Sequence, residues 1–125
     1  VAAITVALLA ALARRGIDGV AGIPWYFPTV AEYRGRLERQ GFEVGQIVLL
    51  PRPTDLPTGM AAWLETFAGP LLAGVAAAER ETVRAEAVAL LRPVLRDGAG
   101  RWTADYVRLR FAAVLQRQRE KLPTE

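Results

Sequence analysis

The chain has 125 residues, of which 52% are hydrophobic, enough to fill the core of one ordinary domain and against the composition of a disordered protein. Its 16 basic and 13 acidic residues are spread along the chain, which argues against nucleic-acid binding, since that needs a clustered basic patch. Cysteine and histidine are absent, which excludes disulfides, thiolate nucleophiles, imidazole bases and zinc sites built from those ligands. We therefore expect no metal and a reducing, cytoplasmic location.

Residues 1–15 predict an apolar helix that ends at Arg14 and Arg15, where cations suit the helix dipole. Because it is apolar most of the way round, we expect it to be buried on more than one side. The apolar run is shorter than the roughly 20 residues that a membrane-spanning helix needs, so no membrane association is expected. Glycines in residues 16–22 then predict a loop.

Residues 24–28 read Pro-Trp-Tyr-Phe-Pro, a turn in which two prolines stiffen the backbone around three aromatic rings. Two interpretations are open. Trp25 and Phe27 are core residues at a domain edge, or the turn forms an aromatic wall of a ligand cavity, with Trp25 and Tyr26 as the candidate wall.

Thr29 and Glu32 form a capping box, which predicts a helix from Val30 that ends at Gly41. The helix is followed by a β-rich segment with the apolar run of residues 47–50. This pattern predicts a strand over about residues 43–50 that is covered on both faces.

Three prolines in residues 51–57 disfavour regular ladder pairing and predict an extended loop after that strand. In open α/β sheets the ligand crevice lies beyond the carboxyl ends of the strands, which makes Arg52 a candidate binding residue. An ion pair of Arg52 with Asp55 is the alternative role.

Two amphipathic helices are predicted next, one starting after the potential cap Thr58 and one over residues 76–91. Pro93 is expected to kink or restart the second helix. Trp63 fits either the core or a substrate contact. The inward residues are predicted as Met60, Trp63, Leu64 and Phe67 in the first helix, and Val83, Ala87, Leu90 and Val94 in the second.

The last element is ambiguous from its pattern. Residues 106–111 alternate between apolar and polar in the manner of a strand, which predicts a strand over about 105–114, yet a single helix over residues 103–122 fits the propensities nearly as well. Residues 115–125 form a polar tail by composition.

The order of these motifs resembles one family, the class I S-adenosylmethionine-dependent methyltransferases, and within it the C-terminal half of the bacterial type similar to trans-aconitate methyltransferase. The motifs that carry the resemblance are the turn 24–28, Glu32-Tyr33, Gly41-Phe42-Glu43-Val44, Arg52-Pro53-Thr54, Gly59-Met60, Trp63-Leu64, Phe67, Gly100-Arg101-Trp102 and residues 105–111.

The resemblance implies an α/β fold, the C-terminal part of a Rossmann-like sheet, mostly helical with two antiparallel strands at about 43–50 and 105–114. It decides the last element in favour of a strand. The acidic, glycine-rich loop with which the family binds its cofactor is missing, so residues 1–125 are expected to be a C-terminal half that binds no cofactor and is inactive alone. Two strands without the rest of their sheet would leave an unpaired edge.

The activity implied is methyl transfer from S-adenosylmethionine to a small-molecule substrate. As substrate-binding residues we predict Trp25, Tyr26, Arg52 and Trp63, while the resemblance assigns no catalytic residue. The alternative is a non-catalytic helical interaction module that docks a partner, or forms an oligomer, through exposed apolar helix faces.

Overall fold

The computed structural model describes residues 1–116, which hold four α-helices, two short 3-10 helices and four strands. The predicted α/β class is confirmed, and the arrangement is compatible with part of a Rossmann-like fold. Of the predicted polar tail, Leu115 belongs to the last strand, and residues 117–125 lie outside the described residues. The elements in chain order are α1 (Ala2–Ala13), a 3-10 helix (Val20–Gly22), α2 (Val30–Arg39), β1 (Phe42–Pro51), β2 (Thr54–Asp55), α3 (Gly59–Phe67), a second 3-10 helix (Gly69–Leu72), α4 (Ala77–Leu95), β3 (Thr103–Ala104) and β4 (Val107–Leu115).

The chain divides into two units. The first unit is Val1–Trp25 with Pro51–Val107, and the second unit is Tyr26–Leu50 with Arg108–Glu125. All the fully buried residues of the described chain belong to the first unit, where α1 and α3 pack against α4. The largest of these side chains are Ile4, Leu8, Leu12, Met60, Leu64, Leu72, Val83 and Leu91.

Helix α1 buries one face only, so the prediction of burial on several sides is wrong. Ile4, Leu8 and Leu12, spaced one turn apart, are fully buried, whereas Val6 on the other side is 66% exposed. Most of the other exposed positions of α1 are alanines, whose small side chains cost little when left in water. The apolar composition of α1 therefore did not reveal which of its sides is buried.

Helix α4 runs through Pro93 and ends two residues later at Leu95. Its buried residues, Val83, Ala87 and Leu91, follow a four-residue spacing. Val94, predicted to face inward, is 63% exposed, because the buried stripe continues through Leu91 instead.

The proline-rich segment after β1 pairs regularly, contrary to the prediction of an unpaired loop. Strand β2 is antiparallel to β3, with Thr54 opposite Ala104. The ladder continues on both sides, since the Arg52 N–H donates to the Tyr106 carbonyl at 2.6 Å and the Leu56 N–H to the Trp102 carbonyl at 2.8 Å. In an antiparallel pair only every second residue of a strand directs its N–H to the partner strand. The prolines occupy the other positions, so they remove no N–H that this ladder uses.

The second unit contains α2 and most of β1 and β4. The predicted cap is confirmed, since the Glu32 N–H donates to the Thr29 hydroxyl at 3.1 Å, and Gly41 follows the helix with a φ of 90°. The two predicted strands form one antiparallel pair. Strand β4 begins at Val107, later than predicted, and the Asp105 carboxylate ahead of it accepts the Ala3 N–H at 2.8 Å, at the start of α1.

Strand β1 is not covered on both faces, which corrects the prediction from its apolar run. Leu49 is 41% exposed and Leu50 is 37% exposed. On β4, Phe111 is 42% exposed and Val114 is 69% exposed. A two-stranded ribbon with a single helix has too few layers to bury both faces of its strands.

Candidate functional site

Four aromatic residues of the first unit form a contiguous cluster. The ring of Trp63 lies 5.8 Å from that of Trp25 and 5.0 Å from that of Phe67, measured between centroids, in tilted arrangements. The Trp63 indole N–H donates a hydrogen bond of 2.8 Å to the hydroxyl of Tyr106. Tilted rings at these separations attract one another beyond the effect of their burial.

Hydrogen bonds fix the orientation of both indoles in this aromatic cluster. The Trp25 indole N–H donates to the Thr5 hydroxyl of α1 at 3.0 Å, and Trp63 is held by Tyr106. Trp63 is 7% exposed, whereas Phe67 is 49% exposed and forms the open rim. The cluster thus offers a fixed aromatic surface whose central ring is anchored in the core.

The structure brings together two of the four predicted substrate-binding residues, Trp25 and Trp63. Tyr26 belongs to the second unit, where its ring lies 4.9 Å below the guanidinium carbon of Arg36 in a cation–π contact. Arg52 is held through its backbone by Tyr106, and its exposed side chain has no hydrogen bond or ion pair among residues 1–116. The alternative ion pair of Arg52 with Asp55 does not form.

The sequence analysis did not name as site residues Tyr106 of the aromatic cluster or Thr5, which holds the Trp25 indole. The alternating pattern of the last strand placed Tyr106 on the outer, polar face beside Arg108. Tyr106 instead lies before the first residue of β4, where the alternation does not apply. Thr5 gave no signal, because a lone hydroxyl in an apolar helix commonly bonds its own backbone, as Thr5 also does to the Val1 carbonyl at 3.0 Å.

A cleft of about 470 Å³ opens in the first unit beside the β2–β3 ladder, at the start of α3. Its wall includes an acidic and a basic residue, apolar side chains and two glycines with positive φ, Gly59 at 86° and Gly100 at 81°. The charged and apolar side chains of this wall are those of Asp55, Leu56, Pro57, Arg101 and Trp102.

A structural ion pair with two short hydrogen bonds joins the segment directly after α1 to α4. Arg15 donates to both carboxylate oxygens of Glu86, at 2.7 and 2.9 Å. These bonds lower the pKa of Glu86 and raise that of Arg15, against an opposing effect of desolvation.

No helix of residues 1–116 has the length and apolarity to cross a bilayer, and no metal-binding group of acidic residues occurs in this part.

The residues present do not fit the cradle that S-adenosylmethionine needs. A nucleotide-type cofactor is held by a glycine-rich loop between a strand and a helix. In the described chain β1 runs into the proline-rich ladder with β3, and α3 begins only after that ladder.

No protein-family model matches the chain. Over 93 residues it is 37% identical to a protein of the fission yeast Schizosaccharomyces pombe named as an uncharacterized methyltransferase. The chain is related to a methyltransferase. The match covers 72% of this chain but 34% of the yeast protein, so the chain spans about a third of the length of that relative.

Proposed function

We propose that this chain is the C-terminal portion of an S-adenosylmethionine-dependent class I methyltransferase that acts on a small molecule. It contributes the last two strands of the sheet and the cap on the substrate side. The observation that carries the proposal is the 37% identity over 93 residues to the yeast methyltransferase. The order of motifs from the turn 24–28 to residues 105–111 supports the same assignment.

The exposure of the second unit supports the view that further chain completes the sheet. Among its described residues none is fully buried, and Leu49, Leu50 and Phe111 are each more than a third exposed on a two-stranded ribbon. Apolar strands of this kind become stable when further strands or helices cover them. The yeast relative has most of its length outside the matched segment, which is where such elements would come from.

The substrate side of the site would be built from the predicted residues of the first unit, Trp25, Trp63 and Arg52. Trp25 and Trp63 offer a fixed aromatic surface. The unpartnered guanidinium of Arg52 would hold an anionic group of the substrate in a bidentate contact. S-adenosylmethionine, bound by residues outside this chain, would supply the methyl group. The role of these side chains is alignment, which supplies much of the rate in such displacements.

A chimaera tests this proposal directly. The matched segment of the yeast relative is replaced by the corresponding 93 residues of this chain, and S-adenosylmethionine binding is measured by calorimetry. We expect the chimaera to fold and to bind the cofactor, and this chain alone to bind none. A chimaera that carries Leu64→Asp in the core of α3 is the control and should lose folding and binding together. A folded chimaera that fails to bind while the intact yeast protein binds contradicts the proposal.

A non-catalytic interaction module is the second candidate, and the exposed apolar side chains of β4 favour it. Val114 is 69% exposed and Leu115 is 59% exposed. If these residues form an interface, the chain alone should unfold cooperatively and sediment as an oligomer, and Val114→Lys should convert it to a monomer. The same result together with a failed chimaera would replace the methyltransferase proposal.

A further inference from the structure

Two opposite charges lie unpaired in the wall of the cleft beside the β2–β3 ladder. Asp55 is on β2 and Arg101 directly precedes Trp102, which lies opposite Leu56 in the same ladder. Neither side chain has a hydrogen bond or an ion pair within residues 1–116, with each other or with a third residue. A molecule that carries both charges could satisfy both of them at once, whereas a molecule with one charge would meet one repulsive group.

The backbone that carries the basic side is held firmly. The Asp97 carboxylate accepts the N–H groups of Ala99 and Arg101, at 2.9 and 2.8 Å. The Asp97 N–H in turn donates to the Arg101 carbonyl at 2.9 Å. The Arg96 guanidinium lies against Gly100 of the cleft wall and adds positive charge near Arg101. Such a prearranged loop loses little conformational entropy when a ligand binds.

Apart from Thr58, the other side chains of the wall are apolar, and the cleft leaves room for a small ligand. Its volume of about 470 Å³ lies within the roughly 300–1,000 Å³ typical of small-molecule sites. Leu56, Pro57 and the Trp102 ring supply apolar contacts, and the face of an indole also attracts an ammonium group.

We propose that this cleft binds a small zwitterion, an α-amino acid with an apolar side chain. Its ammonium group would pair with Asp55, its carboxylate with Arg101, and its side chain would lie against Trp102. The cleft is formed by the first unit alone, so the proposal does not depend on methyl transfer or on further chain.

The test is titration of the full chain with three probes of similar shape, followed by amide NMR. Leucine carries both charges, 3-methylbutylamine only the cation and 4-methylpentanoate only the anion. We expect leucine to shift the Gly59 and Gly100 amides and the Trp102 indole N–H in a saturable way, and to bind up to about fivefold more tightly than either analogue, the upper end of the range of one solvent-exposed ion pair.

Substitutions then assign each charge. Asp55→Asn should weaken the binding of leucine about fivefold and leave the binding of 4-methylpentanoate unweakened. Arg101→Gln should likewise weaken the binding of leucine about fivefold but leave that of 3-methylbutylamine unweakened. Glu81→Gln and Arg110→Gln, exposed charges outside the cleft wall, are the matched controls and should change nothing. The proposal is overturned if leucine leaves the three signals in place, if an analogue with a single charge binds as tightly, or if the two cleft variants bind leucine as the original chain does.

Discussion

The indole N–H of Trp63 and the hydroxyl of Tyr106 form a hydrogen bond of 2.8 Å that ties α3 to the segment leading into β4. Because Trp63 is 7% exposed, an indole deprived of this acceptor has little access to water. We predict that Tyr106→Phe lowers the free energy of unfolding by about 1–3 kcal/mol. Urea unfolding followed by tryptophan fluorescence measures this in the first unit, which holds all three tryptophans.

Tyr33→Phe is the matched control for that change. The Tyr33 ring lies tilted against that of Phe111 in the second unit, with 5.3 Å between centroids, and its hydroxyl has no hydrogen bond within residues 1–116. Its removal should alter the unfolding midpoint little. Equal effects of the two variants would show that the Tyr106 hydroxyl does not anchor Trp63.

The bond between Arg15 and Glu86 makes stability depend on pH. Because the folded-state pKa of Glu86 lies below its ordinary value of 4.5, its contribution is complete above that value. The contribution is lost as pH falls through the lowered folded-state pKa. We predict that Glu86→Gln is less stable than the original chain at neutral pH, and that the two urea midpoints converge below the ordinary pKa.

Glu81→Gln on the same helix is the control, since Glu81 has no ion pair among the described residues. Its difference from the original chain should stay small at every pH. A Glu86→Gln difference that persists unchanged into acid would mean that the carboxylate contributes through packing and not through its charge.

Local signals predicted much of the secondary structure. The Thr29 cap and the terminal Gly41 set the limits of α2, because both act through backbone groups within one turn of the helix. The alternation of the last strand was also sufficient once the family resemblance excluded a helix. These features depend on residues that are neighbours in the sequence, so the sequence alone was enough to predict them.

Features that depend on distant partners were beyond the sequence. The proline-rich segment pairs with β3 because residues 52 and 56 offer their N–H groups to a segment about fifty residues away, and no local pattern reveals that register. The cluster of Trp25, Trp63 and Tyr106 likewise joins three separate segments. Sequence named the two indoles as candidates but could not show that they meet.

Gly22 is required by its surroundings. A Cβ at Gly22 would lie 2.9 Å from the Pro70 carbonyl oxygen and 3.2 Å from the Leu71 Cα, both backbone atoms that cannot rotate away. We predict that Gly22→Ala lowers the free energy of unfolding by about 1–3 kcal/mol through this overpacking. Gly74→Ala is the control, because no atom lies within 4 Å of its added methyl group. Loss of stability in both variants alike would place the cause in the backbone and not in the contact with Pro70.

Truncation of side chains should affect stability strongly on one side of α1 and little on the other, although the helix is apolar throughout. Leu8 is fully buried, so Leu8→Ala leaves a cavity in the core and should cost about 2–5 kcal/mol in urea unfolding. Val6 is 66% exposed, and Val6→Ala should stay within about 0.5 kcal/mol of the original chain. A large cost at Val6 would mean that this side of α1 is covered in solution, by a second copy or by another chain. Sedimentation of the Val6→Ala variant beside the original chain would then separate these two cases, since only self-association depends on the chain's own concentration.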